Sequence, residues 1–574
     1  MWTRVARLTE LTEDRPHAGA AGDVELVLLR RGDAVLAYEG ACPHQGALLG
    51  EGELEDGQLV CRAHRWRFEV ATGKHADSAA CLRACPVKIE DGAVLVDARE
   101  LAAARSAAAG ATRRWEELPG PGGVPLFGNA LALDVTRLHG CFEDWAAKYG
   151  TLYKLRLGPQ RAVVSSDPEI NDEIMRARPD RWRRPVKLEK IFEELSLAGV
   201  FSAEGAAWRA QRRLAMEALS QRHLRTFWPT LHQVVLRLHA RLAKAAAANE
   251  EVDLQDVLMR FTVDVTTNLA FGTDLDTLSQ GEDVIQREME IIFPGLNRRL
   301  NSVVPLWRFV RLPAERRLDA AVAAVSTFLG KLIDETQARL AAEPARATKP
   351  SNFLEAMLAA RDEDGQPFTR ETVAGNAMTM LLAGEDTTAN TLAWAVHELL
   401  DAPAARERLA AEADQVLGDA AVVPDLDRAT KLAVAGAVAQ ETMRMRPVAP
   451  LLFHEPIGPQ RMGDVMLEAG TIVVTLFRTP VLDPTRFGAP DEFRPERWLG
   501  PPPGAHEAAT HVPFGSGPRI CPGRSLALLE MRVVLASLAK AFTFERVGAR
   551  DGVTETFAFT MAPTNLKVRV KARA

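Results

Sequence analysis

The segment Phe514-Gly-Ser-Gly-Pro-Arg-Ile-Cys-Pro-Gly523 sets one cysteine, Cys521, in a loop of glycine and proline. Directly after it, Arg524–Leu538 carries apolar residues at helical spacing, so Cys521 is expected at a helix N-terminus. Backbone N–H groups and the helix dipole favour a thiolate at such a position. The glycines let the backbone approach a bound group closely. Arg519 is a candidate to hold an anionic part of such a group.

Outward from this loop the chain has two textures. Residues 115–574 carry long patterns with three- and four-residue apolar spacing, at His223–Ala247, Arg316–Ala341, Glu371–Leu400 and Lys431–Arg446, with short β-like pieces between them. Residues 1–100 instead read as brief strands, Val24–Leu29, Ala34–Tyr38, Leu59–Cys61 and Ala93–Val96, parted by glycine turns. An alanine-rich linker at 101–114 joins them. The expected architecture is therefore multi-domain, a small all-β unit followed by a mainly α (α+β) one.

Composition excludes several classes. The 574 residues are 47% hydrophobic and 25% charged, as in ordinary globular protein. A net charge of −6 offers no general attraction to nucleic acid. No stretch has the length of a membrane span and the N-terminus lacks a signal-peptide core, so a cytoplasmic protein without a membrane anchor is expected. Six cysteines are too few for a disulfide scaffold, and in a reducing compartment they more often serve metals. Neither a dinucleotide fingerprint nor an NTP-binding P-loop is present.

Four of the cysteines lie in the first ninety residues. Cys42-Pro-His44 and Cys61-Arg-Ala-His64 can bring two thiolates and two imidazoles to one point, which suits zinc or a [2Fe–2S] centre. The flanks, Cys42-Pro-His-Gln-Gly-Ala-Leu-Leu-Gly50 and Cys61-Arg-Ala-His-Arg-Trp-Arg-Phe68, resemble the two ligand loops of Rieske iron–sulfur domains. The resemblance implies that Cys42 and Cys61 hold one iron and His44 and His64 the other. It also implies a low-potential, ferredoxin-like centre, because Ala47 and Ala63 stand where high-potential members carry a bridging disulfide.

The Cys521 loop resembles the cysteine-ligand loop of cytochrome P450 enzymes, Phe-x-x-Gly-x-Arg-x-Cys-x-Gly. Glu441-Thr-Met-Arg444, Arg497 within Phe493-Arg-Pro-Glu-Arg-Trp498, and Ala383-Gly-Glu-Asp-Thr-Thr388 follow that family's order. The resemblance implies haem b with Cys521 as axial ligand and Phe514, Gly515, Arg519 and Gly523 shaping its loop. It implies oxygen activation by Thr387 with Asp386 relaying protons. Trp208-Arg-Ala-Gln-Arg212 resembles the family's Trp-x-x-x-Arg, implying that Trp208 and Arg212 contact a haem propionate, and His454 stands where a basic propionate partner is often found.

Taken together, the two resemblances imply a monooxygenase. It would insert one atom of O2 into a hydrophobic small molecule, with electrons from an external NAD(P)H-dependent ferredoxin reductase passing through the chain's own cluster. A haem–thiolate isomerase or peroxygenase, and a redox-regulated ligand-binding protein, are the rival readings. Leu451, Leu452, Phe453, Phe557, Phe559 and Met561 are the expected apolar wall. Arg298 and Arg299 are candidates to meet a substrate carboxylate. Acidic residues exceed basic ones over residues 1–105, 17 against 13, and Glu51, Glu53, Glu55 and Asp56 are candidates for docking to the haem unit.

Overall fold

The computed structural model describes residues 2–22, 24–43, 47–62, 65–75, 80–99, 113–219, 221–280, 284–302, 304–348, 350–361, 365–500 and 510–573. His44, His64 and residues 101–112 of the expected linker lie outside the described residues.

The small unit is built of antiparallel sheets. Strand Val24–Arg31 pairs with His17–Ala21 on one side and Ala34–Glu39 on the other, and Ala84–Cys85 completes this sheet. Trp2–Arg7, Ala93–Asp97 and Val87–Glu90 form a second sheet, and Glu53–Glu55, Gln58–Val60 and Arg67–Glu69 a third. Alternation sorts the central strand: Leu26 and Leu28 enter one core with Val94 and Val96, while Val27 and Leu29 enter another with Cys42 and Cys61. The second core lies under the two cysteine loops.

The larger unit is helical around the central helix Arg370–Leu399, most of whose side chains are buried. Helix Leu254–Phe271 packs along it, with Gly384 at the closest approach: a Cβ there would meet Thr266 Oγ1 at 2.5 Å. Helices Ala433–Met445 and Arg524–Ala541 pack on its other flank. A five-stranded sheet borders this bundle, in the order Leu152–Leu157, Gln160–Ser165, Ile472–Leu476, Leu451–Pro456 and Trp182–Arg183. Among the described residues, no helix is long and apolar enough to cross a membrane. The last two residues of the expected linker go with the larger unit, where Arg113 pairs with Asp464 at 2.7 Å.

Candidate metal centres and active site

Cys42 and Cys61 open loops of the same make. The Cys42 N–H donates to the Ala47 carbonyl and the Cys61 N–H to the Trp66 carbonyl, each at 2.8 Å, so either loop closes five residues after its cysteine. Both cysteines are buried. Cys42, Ala47 and Cys61 belong to one buried core, with Trp66 packed against it.

The Cys521 loop is pinned by its own backbone. The Cys521 N–H donates to the Phe514 carbonyl at 2.9 Å, and Gly515 and Gly517 adopt φ of 75° and 72°. At Gly517 a Cβ would lie 2.3 Å from the Met175 carbonyl oxygen, so a side chain is excluded by contact as well as by conformation. Helix Arg524–Ala541 begins immediately after the loop. Burial pushes the Cys521 thiol pKa up, while the Gly523 and Arg524 N–H groups and the Arg212 and Arg524 guanidiniums pull it down. Cys521 is nevertheless exposed, so its thiol is open to a ligand.

Behind this loop, Glu441 is fully buried and accepts bonds from every side. Arg444 donates to it from Nε and Nη2 (3.0 and 2.8 Å), Arg497 from Nε (3.0 Å), Trp498 from Nε1 (2.8 Å) and Arg494 from its backbone (2.9 Å). Arg444 in turn donates to the Val481, Pro490 and Glu492 carbonyls. A carboxylate held this way is a rigid joint between helix and loop.

A cationic cradle stands beside the site. Arg178 and Arg184 from one run, Arg519 from the cysteine loop and His454 from strand Leu451–Pro456 meet here, and burial drives each of the three guanidiniums down to about 9. His454 is held well below its ordinary value by burial and by the same three arginines. Arg519 donates to the Ala203 carbonyl and to Glu204, and its guanidinium stacks 4.6 Å from the Trp208 ring centroid. Even so, Arg178 Nε and Nη2, Arg519 Nε and Nη1, and His454 Nδ1 are buried without a partner among the described residues. Unpaired buried nitrogens near the one carboxylate, Glu204, that acts on all three guanidiniums fit an anionic ligand with several oxygens. The two propionates of a haem are such a ligand. The Cys521 loop and this cradle therefore fit haem.

The Arg212 guanidinium donates to the Ile520 carbonyl at 2.7 Å and pairs with Glu51 of the small unit at 3.2 Å. Helical spacing placed Trp208 and Arg212 on one face but could not tell which neighbour each would meet. Arg178 and Arg184 escaped the sequence reading. Their signal, the dense run Arg176-Ala-Arg-Pro-Asp-Arg-Trp-Arg-Arg184, resembles a solvated basic patch until the fold buries it.

Within the central helix, Ala383 is exposed and Gly384 and Thr387 are half-buried among otherwise buried neighbours, so this stretch is open to contact. The Thr387 hydroxyl donates to the Ala383 carbonyl at 3.0 Å, leaving its oxygen lone pairs as acceptors. Asp386 accepts from Asn390 Nδ2 at 2.8 Å and from Thr560 Oγ1, and Gln255 extends the chain to Asn390 at 2.9 Å. Burial raises the Asp386 pKa against these bonds.

The expected apolar wall divides. Leu451, Phe557 and Met561 are core residues, and Leu452 and Phe453 are half-buried. Phe559 instead meets Phe201 and Phe293, with centroids at 5.7 and 5.9 Å. Arg298 and Arg299 are both engaged by Glu315 at 2.8 Å, so neither is a free anchor for a substrate carboxylate.

Comparison with known proteins agrees with this geometry. Residues 118–570 match the family model for cytochrome P450, and residues 1–87 match that for the Rieske [2Fe-2S] domain. Cyclooctatin synthase of Streptomyces melanosporofaciens is 30% identical over 76% of this chain and 91% of its own length. Steroid 21-hydroxylase of Sus scrofa is 32% identical, covering 69% of this chain and 80% of its own. The protein LUTEIN DEFICIENT 5 of Arabidopsis thaliana is 27% identical over 74% and 72%. A haem cofactor goes with the first match and a [2Fe–2S] cluster with the second. The chain belongs to the cytochrome P450 family, as a haem monooxygenase that carries a Rieske domain for electron transfer at its N-terminal end.

Proposed function

We propose that this monooxygenase is reduced through its own Rieske domain, itself supplied by an external NAD(P)H-dependent ferredoxin reductase, and that it hydroxylates or epoxidises a hydrophobic small molecule. The observation that carries the reading is a shared core: Cys42 and Cys61 of the small domain pack with Ile520 and Phe514 of the haem-ligand loop, and Ile520 precedes Cys521. We divide the chain into the Rieske domain at 1–100, a linker at 101–114 and the P450 domain at 115–574. We place it in the cytosol, where its ligand cysteines stay reduced.

When bound, haem supplies oxygen activation and the cluster supplies single-electron transfer. Cys521 would hold haem through its thiolate, on the loop shaped by Phe514, Gly515 and Gly523. Arg178, Arg184, Arg519 and His454 would hold its propionates, with Trp208 fixing Arg519 by stacking. Cys42, His44, Cys61 and His64 would hold the cluster. Thr387 offers a hydroxyl at the open stretch of the central helix, and Asp386, linked to Thr560 and Asn390, is the proton reservoir behind it. Phe559 packs ring to ring with Phe201 and Phe293, an apolar cluster that would suit an apolar substrate. The name of the steroid 21-hydroxylase relative, which states a steroid substrate, supports the same class.

Turnover in isotopically labelled dioxygen tests the proposal. With NADH, a ferredoxin reductase and a panel of terpenoid, steroid and fatty-acid substrates, the product is expected to carry one labelled oxygen and to vanish in Cys42→Ala. Product formed only with peroxide, or equally well by Cys42→Ala, would contradict it.

A further inference from the structure

Two helices of the P450 domain face the Rieske domain. Helix Gly205–Ala218 presents Arg209 and Arg212, and helix Pro168–Arg176 ends in Arg176. Arg209 pairs with Glu25 in strand Val24–Arg31 and also with Asp180 at 2.8 Å. Arg212, with a side chain only 3% exposed, pairs with Glu51 and donates to the Ile520 carbonyl. Arg176 donates to the Cys42 carbonyl at 3.4 Å and binds Asp172 at 2.5 Å, and Asp172 accepts from Ser516 of the haem-ligand loop at 2.7 Å. Two hydrogen-bonded routes thus run from the Cys42 loop and Glu51 to the Cys521 loop, around the apolar core that Ile520 shares with Cys42 and Cys61.

The acidic residues divide in a way that identifies the occupant. Glu53 and Glu55 are paired with Arg65 and Arg67 inside the small domain. Glu25 is buried, and its ion-pair partner among the described residues is Arg209, from the other domain. Glu51 likewise pairs with Arg212. A buried carboxylate without a cation is costly. These two therefore match the P450 domain rather than stabilise the Rieske domain alone. An apolar centre rimmed by complementary charge is the build of a specific interface.

We propose that Arg176, Arg209 and Arg212 form a receptor for this chain's own Rieske domain, with Glu25 and Glu51 as the matching carboxylates. This inference rests on the reading that the Rieske domain reduces the haem of the same chain. Docking then depends on charge, and raising ionic strength weakens it.

A charge exchange at Glu25 and Arg209 tests the receptor on the full chain with both cofactors bound, because neither residue touches a cofactor. Hydrogen exchange over 24–31 and 205–218 reports docking directly. The rate of haem reduction, followed as the carbon monoxide complex with NADH and reductase, reports its consequence. Glu25→Arg and Arg209→Glu are each expected to raise exchange in both segments and to slow haem reduction about tenfold, and the double exchange to restore both. Glu25→Gln, which adds no repulsion, is expected to give a smaller loss in the same direction. Cluster and haem content measured in every variant separates undocking from misfolding. Single reversals that keep both cofactors and change neither readout would overturn the receptor. A double exchange that fails to restore would do the same. If Cys42→Ala stops haem reduction while the reversals do not slow it, the receptor alone fails. If Cys42→Ala leaves haem reduction intact, the electron-delivery reading fails instead.

Discussion

Arg178 has no carboxylate of its own, and Nε and Nη2 of its guanidinium lie buried without a partner among the described residues. Its role is predicted from that imbalance. Arg178→Leu is expected to lower haem affinity about tenfold to a hundredfold, the scale seen when a group supporting a metal site is lost, and haem retention on a desalting column measures it. Thr387→Ala is expected to cut product formed about a hundredfold or more while dioxygen is still consumed, checked by comparing product with oxygen uptake. A third residue makes a pH prediction. Glu530, on the helix after Cys521, bonds Thr388 of the central helix, and burial raises its pKa to about 8. Its unfolded value is about 4.3, so between these limits the unfolded chain sheds a proton that the fold retains. Stability attributable to this group therefore falls as pH rises through the window, by at most about 1.4 kcal/mol per unit, and levels off above it. Glu530→Gln removes the slope, so the melting temperature of the variant relative to wild type should climb from acid to mildly alkaline pH.

At the scale of elements, the ligand loops were the most legible part of the chain because their chemistry is local. Cys42 and Cys61 are set by turns closed within five residues, and Cys521 by two glycines at positive φ. Each such signal sits inside one short segment. The long helices were legible for a similar reason: the pattern His223–Ala247 anticipates Gln221–Ala248, and Glu371–Leu400 anticipates Arg370–Leu399. The cationic cradle was only partly legible, since it assembles side chains from segments around 178–184, 454 and 519 that no spacing rule connects. Helical spacing put Trp208 and Arg212 on one face but named neither neighbour, and the sequence left Leu451, Phe557 and Met561 open between pocket wall and core; the structure buries these three in a core. The Glu441 joint leads to a prediction at this scale. Glu441→Gln unbalances a fully buried pair with Arg444 and weakens the hold on Arg497, at a cost of about 3–5 kcal/mol, seen as a lower unfolding midpoint and loss of haem.

For the whole molecule, the decisive relation is between the two domains, and no local pattern encodes it. The net acidity of the first hundred residues hinted at docking, but it did not distinguish Glu51, which crosses to Arg212, from Glu53 and Glu55, which stay at home. With Ile520 in the same buried core as Cys42 and Cys61, the haem-ligand loop and the cluster loops share one core. A tether that holds them together makes reduction unimolecular. The most direct test is the kinetics of haem reduction in the full chain under carbon monoxide, with the cluster reduced first and protein concentration varied over about a hundredfold. The account predicts a first-order rate that does not change with concentration and is lost in Cys42→Ala. A rate that rises in proportion to concentration, or one that Cys42→Ala leaves untouched, would contradict it.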